Sequence, residues 1–415
     1  MQVRDRKKYF YAWCLNVILY AMTLPFRIVD IFKTAKITQP ASFLIVRLDH
    51  IGDVILSTPI YHSLKDRFPN AKITVLCGSW AAEILEKNPY VDSSIIIDCP
   101  WWKSIRNDSQ KNDSFIIQLY KTILKICATG FDVFIDLRGD IRHILLFGWL
   151  TRIPKRISYT RSGGAFLLTH SYPHQNGIHE IGRNYKLLSE FEPLNKYWKP
   201  EIYTKTDNLY VLQEKLKEQL NLKNDSYAVI FNGGRSKLRR LSNNKVSELC
   251  KILSRNYFLK CCFVGDRNDF EDGEKIKKAT GLNDTKFINL CGLLTLSDVK
   301  DLIKLSKLFI GTDSSICHLS ASTYTPSILL FGPLNPKEVM PIGMNKKVVY
   351  HEYSCSPCLQ DFCIANKSKD IAKCMEDISV EEIMQKVGEL IKKSPSEKAL
   401  YENCPSWQSW NSCKV

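Results

Sequence analysis

Negative charge is scarce in this chain. Its 415 residues carry 43 Asp and Glu against 58 Lys and Arg, a net charge of +15. Such an excess points to a polyanionic partner: nucleic acid, an anionic membrane surface or phosphorylated small molecules. Zinc-finger spacing, an RNP-like aromatic motif and a basic helix with base-reading residues are all missing, so no nucleic acid is expected. No apolar run reaches the roughly 20 residues of a comfortable membrane span. No small-residue cleavage pattern separates the first apolar stretch from the strand at Phe43. A disulfide framework is missing too. The fifteen cysteines are odd in number and mostly single in apolar strands (Cys77, Cys261, Cys262, Cys291), as in a reduced cytosolic core.

The first apolar stretch is "YFYAWCLNVILYAMTLPF" (9–26), eighteen uncharged residues between "RDRKK" (4–8) and Arg27, Lys33 and Lys36. Asn16, Thr23 and Pro25 weaken it as a span, while its tyrosines and tryptophan suit a headgroup interface. Residues 1–40 therefore read as a membrane-associating segment lying on an anionic cytoplasmic leaflet. A true span and a buried core helix are the alternatives.

The body divides into two similar halves. "FLIVRL", "KITVLC", "SIIID" and "FDVFIDL" alternate with helical runs in 41–195, a linker follows at 196–208, and the alternation resumes over 209–395. There the strand-like runs are "YAVIFN", "LKCCFVG", "KFINL", "KLFIG" and "PSILLFG". This is the pattern of α/β domains with parallel sheets, whose ligands bind beyond the carboxyl ends of the strands. Two such domains facing each other would put those ends around one central cleft. "ISVEEIMQKVGELIKK" (378–393) is an amphipathic helix, and 396–415 reads as a poorly ordered tail.

The informative residues cluster at strand ends. After Phe43–Leu48 come Gly52 and Asp53 at a strand-to-helix turn, where Asp53 is either a helix cap or a base. Arg138-Gly139-Asp140 ends a second run. In the other half, Gly311 is followed by Thr312, Asp313, Ser314 and Ser315, with His318 a turn later. A helix start lined with hydroxyls either caps itself or holds an anion. "FNGGRSKLRRLSNNK" (231–245) carries Gly233 and a loop with Arg235, Lys237, Arg239 and Arg240, cations suited to a diphosphate.

"LIVRLDHIGDVILSTP", "FVGDRNDFEDGEKI" and "FIGTDSSICHLSASTYTPSILLFGP", in this order, resemble the family 9 glycosyltransferases, the ADP-heptose:lipopolysaccharide heptosyltransferase group, over residues 43–390. The resemblance implies a GT-B architecture and inverting transfer from a nucleotide-diphosphate sugar without a catalytic metal or other cofactor. It implies a glycolipid or oligosaccharide acceptor at the cytoplasmic face of the bacterial inner membrane. It makes Asp53 the general base. Donor phosphates fall to Asp313, Ser314, Ser315 and His318, and the donor ribose to Asp269. It also aligns Arg239 with a Lys-x-Trp-Pro motif whose Trp-Pro is here Leu241-Ser242, and "HEIGRN" (179–184) with a His-x-x-x-Arg segment. In such folds the terminal helix packs back toward the first domain.

"CSPCLQDFCIANKSKDIAKCM" (355–375) places Cys355, Cys358, Cys363 and Cys374 in one insertion. Either they hold a structural zinc or iron–sulfur cluster or they are metal-free thiols. Three function classes stay open: a heptosyl transferase, a transferase of another nucleotide sugar for surface polysaccharide or glycolipid, and a non-catalytic anion-binding protein.

Overall fold

The computed structural model describes residues 13–14, 16–25, 37, 39–101, 115–203, 226–234, 236–343, 345–358 and 362–391. The basic flanks at 4–8 and 27–36, the linker from 204, Arg235 and the expected tail at 396–415 lie outside the described residues. The chain divides into two compact units with the boundary in sequence near residue 200: residues up to Tyr197 with Glu201–Tyr203, and Trp198–Pro200 with the residues that follow.

In the first unit β1 (Ser42–Arg47), β2 (Lys72–Cys77), β3 (Ser93–Ile96), β4 (Val133–Asp136), β5 (Lys155–Tyr159) and β6 (His170–Tyr172) form one parallel sheet. Its order is β3-β2-β1-β4-β5-β6. The strand order reverses between β1 and β4, and ligands bind at such a switch point in open α/β sheets. Helices α1 (Ile51–Arg67), α2 (Phe115–Thr129) and α3 (Glu180–Leu187) cover it. β1 is buried along almost its whole length because helices lie on both faces, which is why it reads as a continuous apolar run.

The second unit repeats the plan. β7 (Tyr227–Phe231), β8 (Lys260–Val264), β9 (Phe287–Asn289), β10 (Leu308–Thr312), β11 (Ser327–Phe331) and β12 (Lys346–Tyr350) are parallel in the order β12-β11-β10-β7-β8-β9. Its switch point falls between β7 and β10. α4 (Asn243–Asn256), α5 (Phe270–Thr280), α6 (Leu296–Leu305), α7 (Ser315–Ala321) and α8 (Val380–Ile391) complete it. The apolar face of α8 (Ile383, Val387 and Leu390) is buried in this unit's own core with Ile328, Leu330 and Val349. Three apolar positions at helical spacing are thus satisfied by β11, β12 and α4.

Residues 16–25 are helical, and one side of this helix docks on the first unit. Asn16 donates from Nδ2 to the Ser162 carbonyl at 3.3 Å and accepts the Gly164 N–H at 2.9 Å. Tyr20 meets Phe166 edge-on. Val17, Ile18, Met22 and Leu24 remain exposed. Among the described residues no helix is long and apolar enough to cross a membrane.

Candidate active site

Asp53 sits in the first turn of α1, just beyond β1. Its Oδ2 accepts the backbone N–H of His50 at 3.2 Å, and the His50 carbonyl accepts the N–H of Asp53 at 3.0 Å. The capping role is therefore real, but it uses one carboxylate oxygen. The other, Oδ1, lies 3.5 Å from Nη2 of Arg47, and the side chain keeps 27% of its surface open to solvent. Gly52 precedes it in the same turn.

Arg47 organises this corner. Its side chain is 1% exposed at the end of a buried strand, where an uncompensated charge would cost several kcal/mol. Every edge of the guanidinium is used. Nε donates to the Asp53 carbonyl at 3.2 Å, Nη1 to the Leu137 carbonyl at 3.1 Å and Nη2 to Glu180 Oε1 at 2.7 Å. Glu180, at the start of α3, also accepts from Arg183 Nε at 2.8 Å. On the other side Arg138 Nη1, from the turn after β4, donates to Asp49 Oδ2 at 2.8 Å. α3 is held for this task by Asn184, which donates to the Leu56 carbonyl of α1, and by a Ser63–Tyr185 hydroxyl contact of 2.7 Å.

The charges divide the carboxylates by role. Burial opposes ionisation of Asp49, but Arg138 and Arg47 outweigh it and hold that carboxyl well below the usual range. Burial likewise works against Glu180, yet Arg47 and Arg183 bring it down to about 2. Asp53 goes the other way. Burial raises its pKa, the nearby Asp49 and Glu180 charges add to the rise, and the pull of Arg47 does not cancel them. A carboxylate raised in this manner is a better proton acceptor than an ordinary surface aspartate. Behind the row, buried His143 meets Asp136 at 3.1 Å.

Sequence reasoning singled out Asp53, Gly52 and the Arg138 turn but passed over Arg47, Asp49 and Glu180. The signal for Arg47 was present: an arginine inside an otherwise apolar strand needs a buried partner. Glu180 was hidden inside the His-x-x-x-Arg reading, where His179 turns out to cap α3 by accepting the Ile181 N–H.

The second unit gathers its predicted residues at its own switch point. Arg239, in a single helical turn after β7, pairs through Nη1 with Asp313 Oδ2 at 3.2 Å. Ser314 occupies the N-cap position of α7, yet its hydroxyl makes no capping bond to the helix, so the cap reading fails for it. Ser315 opens α7, and His318 lies buried within it. The Gly233 carbonyl accepts from Thr312 Oγ1 at 3.3 Å, tying the β7 and β10 turns together.

Asp269, the residue to which the resemblance gives the donor ribose, lies beyond the end of β8, in the turn before α5. Its carboxylate is buried, pairs with Arg240 Nη2 at 3.0 Å and accepts the Asp266 N–H at 3.1 Å. A Cβ on Gly233 would stand 2.5 Å from its Oδ2, so a larger residue there would have to displace the Asp269 carboxylate. Arg240 also reaches Asp272 at 3.4 Å and the Gly234 carbonyl at 2.8 Å. Arg239 thus faces the strand ends, while Arg240 braces the turn.

The four insertion cysteines do not close around a metal. Among the described residues no group of three or more Cys, His, Asp or Glu converges as ligands. Cys355 is exposed, while Cys363 and Cys374 are buried. Burial pushes the Cys374 thiol up to about 11. Burial also acts on Cys363, but backbone N–H groups led by that of Lys373, 3.4 Å from its sulfur, bring its pKa below the usual value. The thirteen described cysteines are all unbridged.

Two parallel doubly wound sheets, one with a raised carboxylate and one with a cation–hydroxyl turn at the switch point, define a two-unit α/β protein with a polar ligand corner in each unit. The comparisons specify which. Residues 119–369, more than half of the chain, match the model of glycosyltransferase family 9 (heptosyltransferase), and the chain belongs to that family. It is similar to lipopolysaccharide heptosyltransferase 3 of Escherichia coli (strain K12), 29% identical over 68% of this chain and 79% of that protein. Lipooligosaccharide heptosyltransferase 2 of Campylobacter jejuni is 25% identical over 83% of this chain and 96% of its own length. Among solved structures, the family 9 glycosyl transferase from Veillonella parvula superposes with a TM-score of 0.71 at 22% identity, covering 85% of this chain and 98% of that one. The protein is accordingly an enzyme, a glycosyltransferase.

Proposed function

We propose that this enzyme moves a heptose-like sugar, with inversion, from a nucleotide-diphosphate donor to a lipopolysaccharide core or related glycolipid acceptor. ADP-heptose is the expected donor. The observation that carries the reading is Asp53 itself: one oxygen fixed by the His50 N–H, the other open beside Arg47, and a pKa above that of an ordinary aspartate. Inverting transfer needs the acceptor hydroxyl deprotonated as it attacks the anomeric carbon, and Asp53 takes that proton. The C–O bond to the diphosphate breaks as the new glycosidic bond forms. Arg239 and the N–H groups opening α7 meet the charge that develops on the leaving diphosphate, with Ser314 and Ser315 beside it. These fixed donors supply the positive charge that a divalent cation would otherwise bring, so transfer should proceed in a chelator.

The buried Leu241, in place of the tryptophan that the resemblance implies, favours keeping a second donor open: another nucleotide sugar of the same class. The exposed apolar side of residues 16–25 supports peripheral attachment to the cytoplasmic face of the inner membrane. The deciding experiment is turnover of purified enzyme with ADP-, GDP-, UDP- and dTDP-sugars, with and without EDTA, and the product anomer read by NMR. Turnover with none of them on a lipooligosaccharide acceptor overturns the reading.

A further inference from the structure

Helix α2 turns an apolar side outward. Thr122 and Ile126 are buried, and Phe115 and Leu119 pack against the same core. Ile116, Tyr120, Leu124 and Cys127 recur at helical spacing on another side of the helix, and this stripe is exposed. Ile116 keeps 73% of its surface open and Tyr120 63%. Ile117 lies beside them, and the exposed Lys121 and Lys125 border the stripe. A surface helix ordinarily gives its outward side to polar residues. Single exposed apolar side chains are common; a continuous row of them marks an interaction surface.

The surface does not end with α2. α2 touches the helical segment Ile144–Trp149, which touches the turn Ala165–Leu167, and there Phe166 meets Tyr20 of the helix at 16–25 at 5.4 Å. Leu145 and Trp149 are partly buried along this path, and Leu150 is exposed. The exposed Val17, Ile18, Met22 and Leu24 stand at its far end. Charge is distributed just as unevenly. Residues 13–25, 115–129, 141–153 and 161–169 contain no Asp or Glu, in a chain with 43 of them, yet they include Lys121, Lys125 and the exposed Arg152. An apolar surface bordered by cations and free of acids fits an anionic headgroup layer. Aliphatic and tyrosine side chains enter the acyl boundary, while lysine stems lie along it and keep their ammonium groups among the phosphates.

We propose that α2 and the segment Ile144–Leu150 form a lipid-docking face continuous with the helix at 16–25, and that its partner is an anionic bilayer surface. This rests on the peripheral attachment proposed above and names a second, folded element that carries it. The helix at 16–25 is then one edge of a broad face and not a lone anchor. Ile144–Trp149 begins a few residues after Arg138, whose partner Asp49 belongs to the same turn as Asp53. Docking by this face therefore holds the Asp53 corner at a fixed distance from the headgroups.

The full chain carries its own reporter. Cys127 is exposed on the stripe, whereas Cys355 is exposed in the second unit. Alkylation of both thiols by iodoacetamide, read by peptide mass spectrometry, is compared in buffer, with phosphatidylcholine vesicles and with vesicles containing phosphatidylglycerol. The anionic vesicles should slow Cys127 about tenfold or more relative to Cys355. Lys121→Gln with Lys125→Gln should weaken flotation on those vesicles about 25-fold, roughly fivefold per lysine. Ile116→Ser with Leu124→Ser should weaken it about tenfold or more. Both side chains are exposed, so the melting temperature in buffer should stay within about 2 °C of the parent. If the parent floats while Cys127 reacts as fast as in buffer, or if the variants float as the parent does, this face is overturned and attachment through 16–25 stands. A parent that does not float overturns both. Slowing of Cys127 in buffer alone that grows with protein concentration makes a second copy the occupant and overturns the lipid assignment.

Discussion

Arg47 and Glu180, 133 residues apart in the chain, meet at 2.7 Å and together set the surroundings of Asp53. The arginine draws the Asp53 carboxylate toward ionisation while the glutamate and Asp49 push it away. The catalytic proposal depends on this balance, which no single motif contains.

Asp53→Asn keeps the size of the side chain and an oxygen for the His50 N–H. Removal of a general base costs about 10²–10⁴ in turnover, with donor affinity unchanged. The stability sign is specific. A carboxyl whose folded pKa is raised contributes stability at low pH and loses it as pH rises through that pKa. At neutral pH the Asn variant should melt no lower than the parent. Calorimetry with single-turnover kinetics checks both, and wild-type turnover would leave Asp53 a cap alone.

The acid limb of kcat should lie above 3.8, the ordinary aspartate value, because the base works ionised and its pKa is raised. Glu180→Gln deletes one of the charges that raise it, so the limb should move to lower pH. The same change strips Arg47 of its nearest partner and should cost about 3 kcal/mol at pH 7. In the parent that stability is present above 4.5 and fades as pH falls toward about 2, where Glu180 takes its proton. A pH–rate profile beside urea melts at two pH values separates the effects.

Arg239 and Arg240 are neighbours with different expected phenotypes. Arg239→Ala should weaken nucleotide binding about tenfold or more and slow transfer, and it also leaves buried Asp313 without this cation, so its melting should fall as well. Arg240→Ala leaves buried Asp269 without its cation and should lose about 2–3 kcal/mol of stability. Isothermal titration and thermal melts sort them. Equal nucleotide affinity in both variants and the parent would make the loop a solvated surface.

The helix at 16–25 joins two tasks. Asn16→Ala should free the helix from the 162–164 loop and lower the melting temperature by about 2–4 °C, read by calorimetry, since its partners are backbone groups of that loop. Flotation with anionic and neutral vesicles tests attachment: basic flanks and an apolar side predict preference for anionic vesicles, weakened by salt. Equal flotation with both would remove the electrostatic part.

The alternation of apolar strands with helical runs determined two parallel sheets from the sequence alone, because β1, β2, β7, β8, β10 and β11 are central or inner strands shielded on both faces. β5, β6 and β12 lie at or next to sheet edges, carry Lys, Arg and His, and show no such run. The strand-end motifs were equally local: Gly52-Asp53 and Asp313 to Ser315 owe their places to turn chemistry within a few residues. What tertiary structure decided was electrostatic. That Asp269 meets Arg240 and that Arg47 meets Glu180 depends on residues 29 and 133 positions away. A side chain's charge is written in the sequence, but its partner is chosen only when the sheet closes.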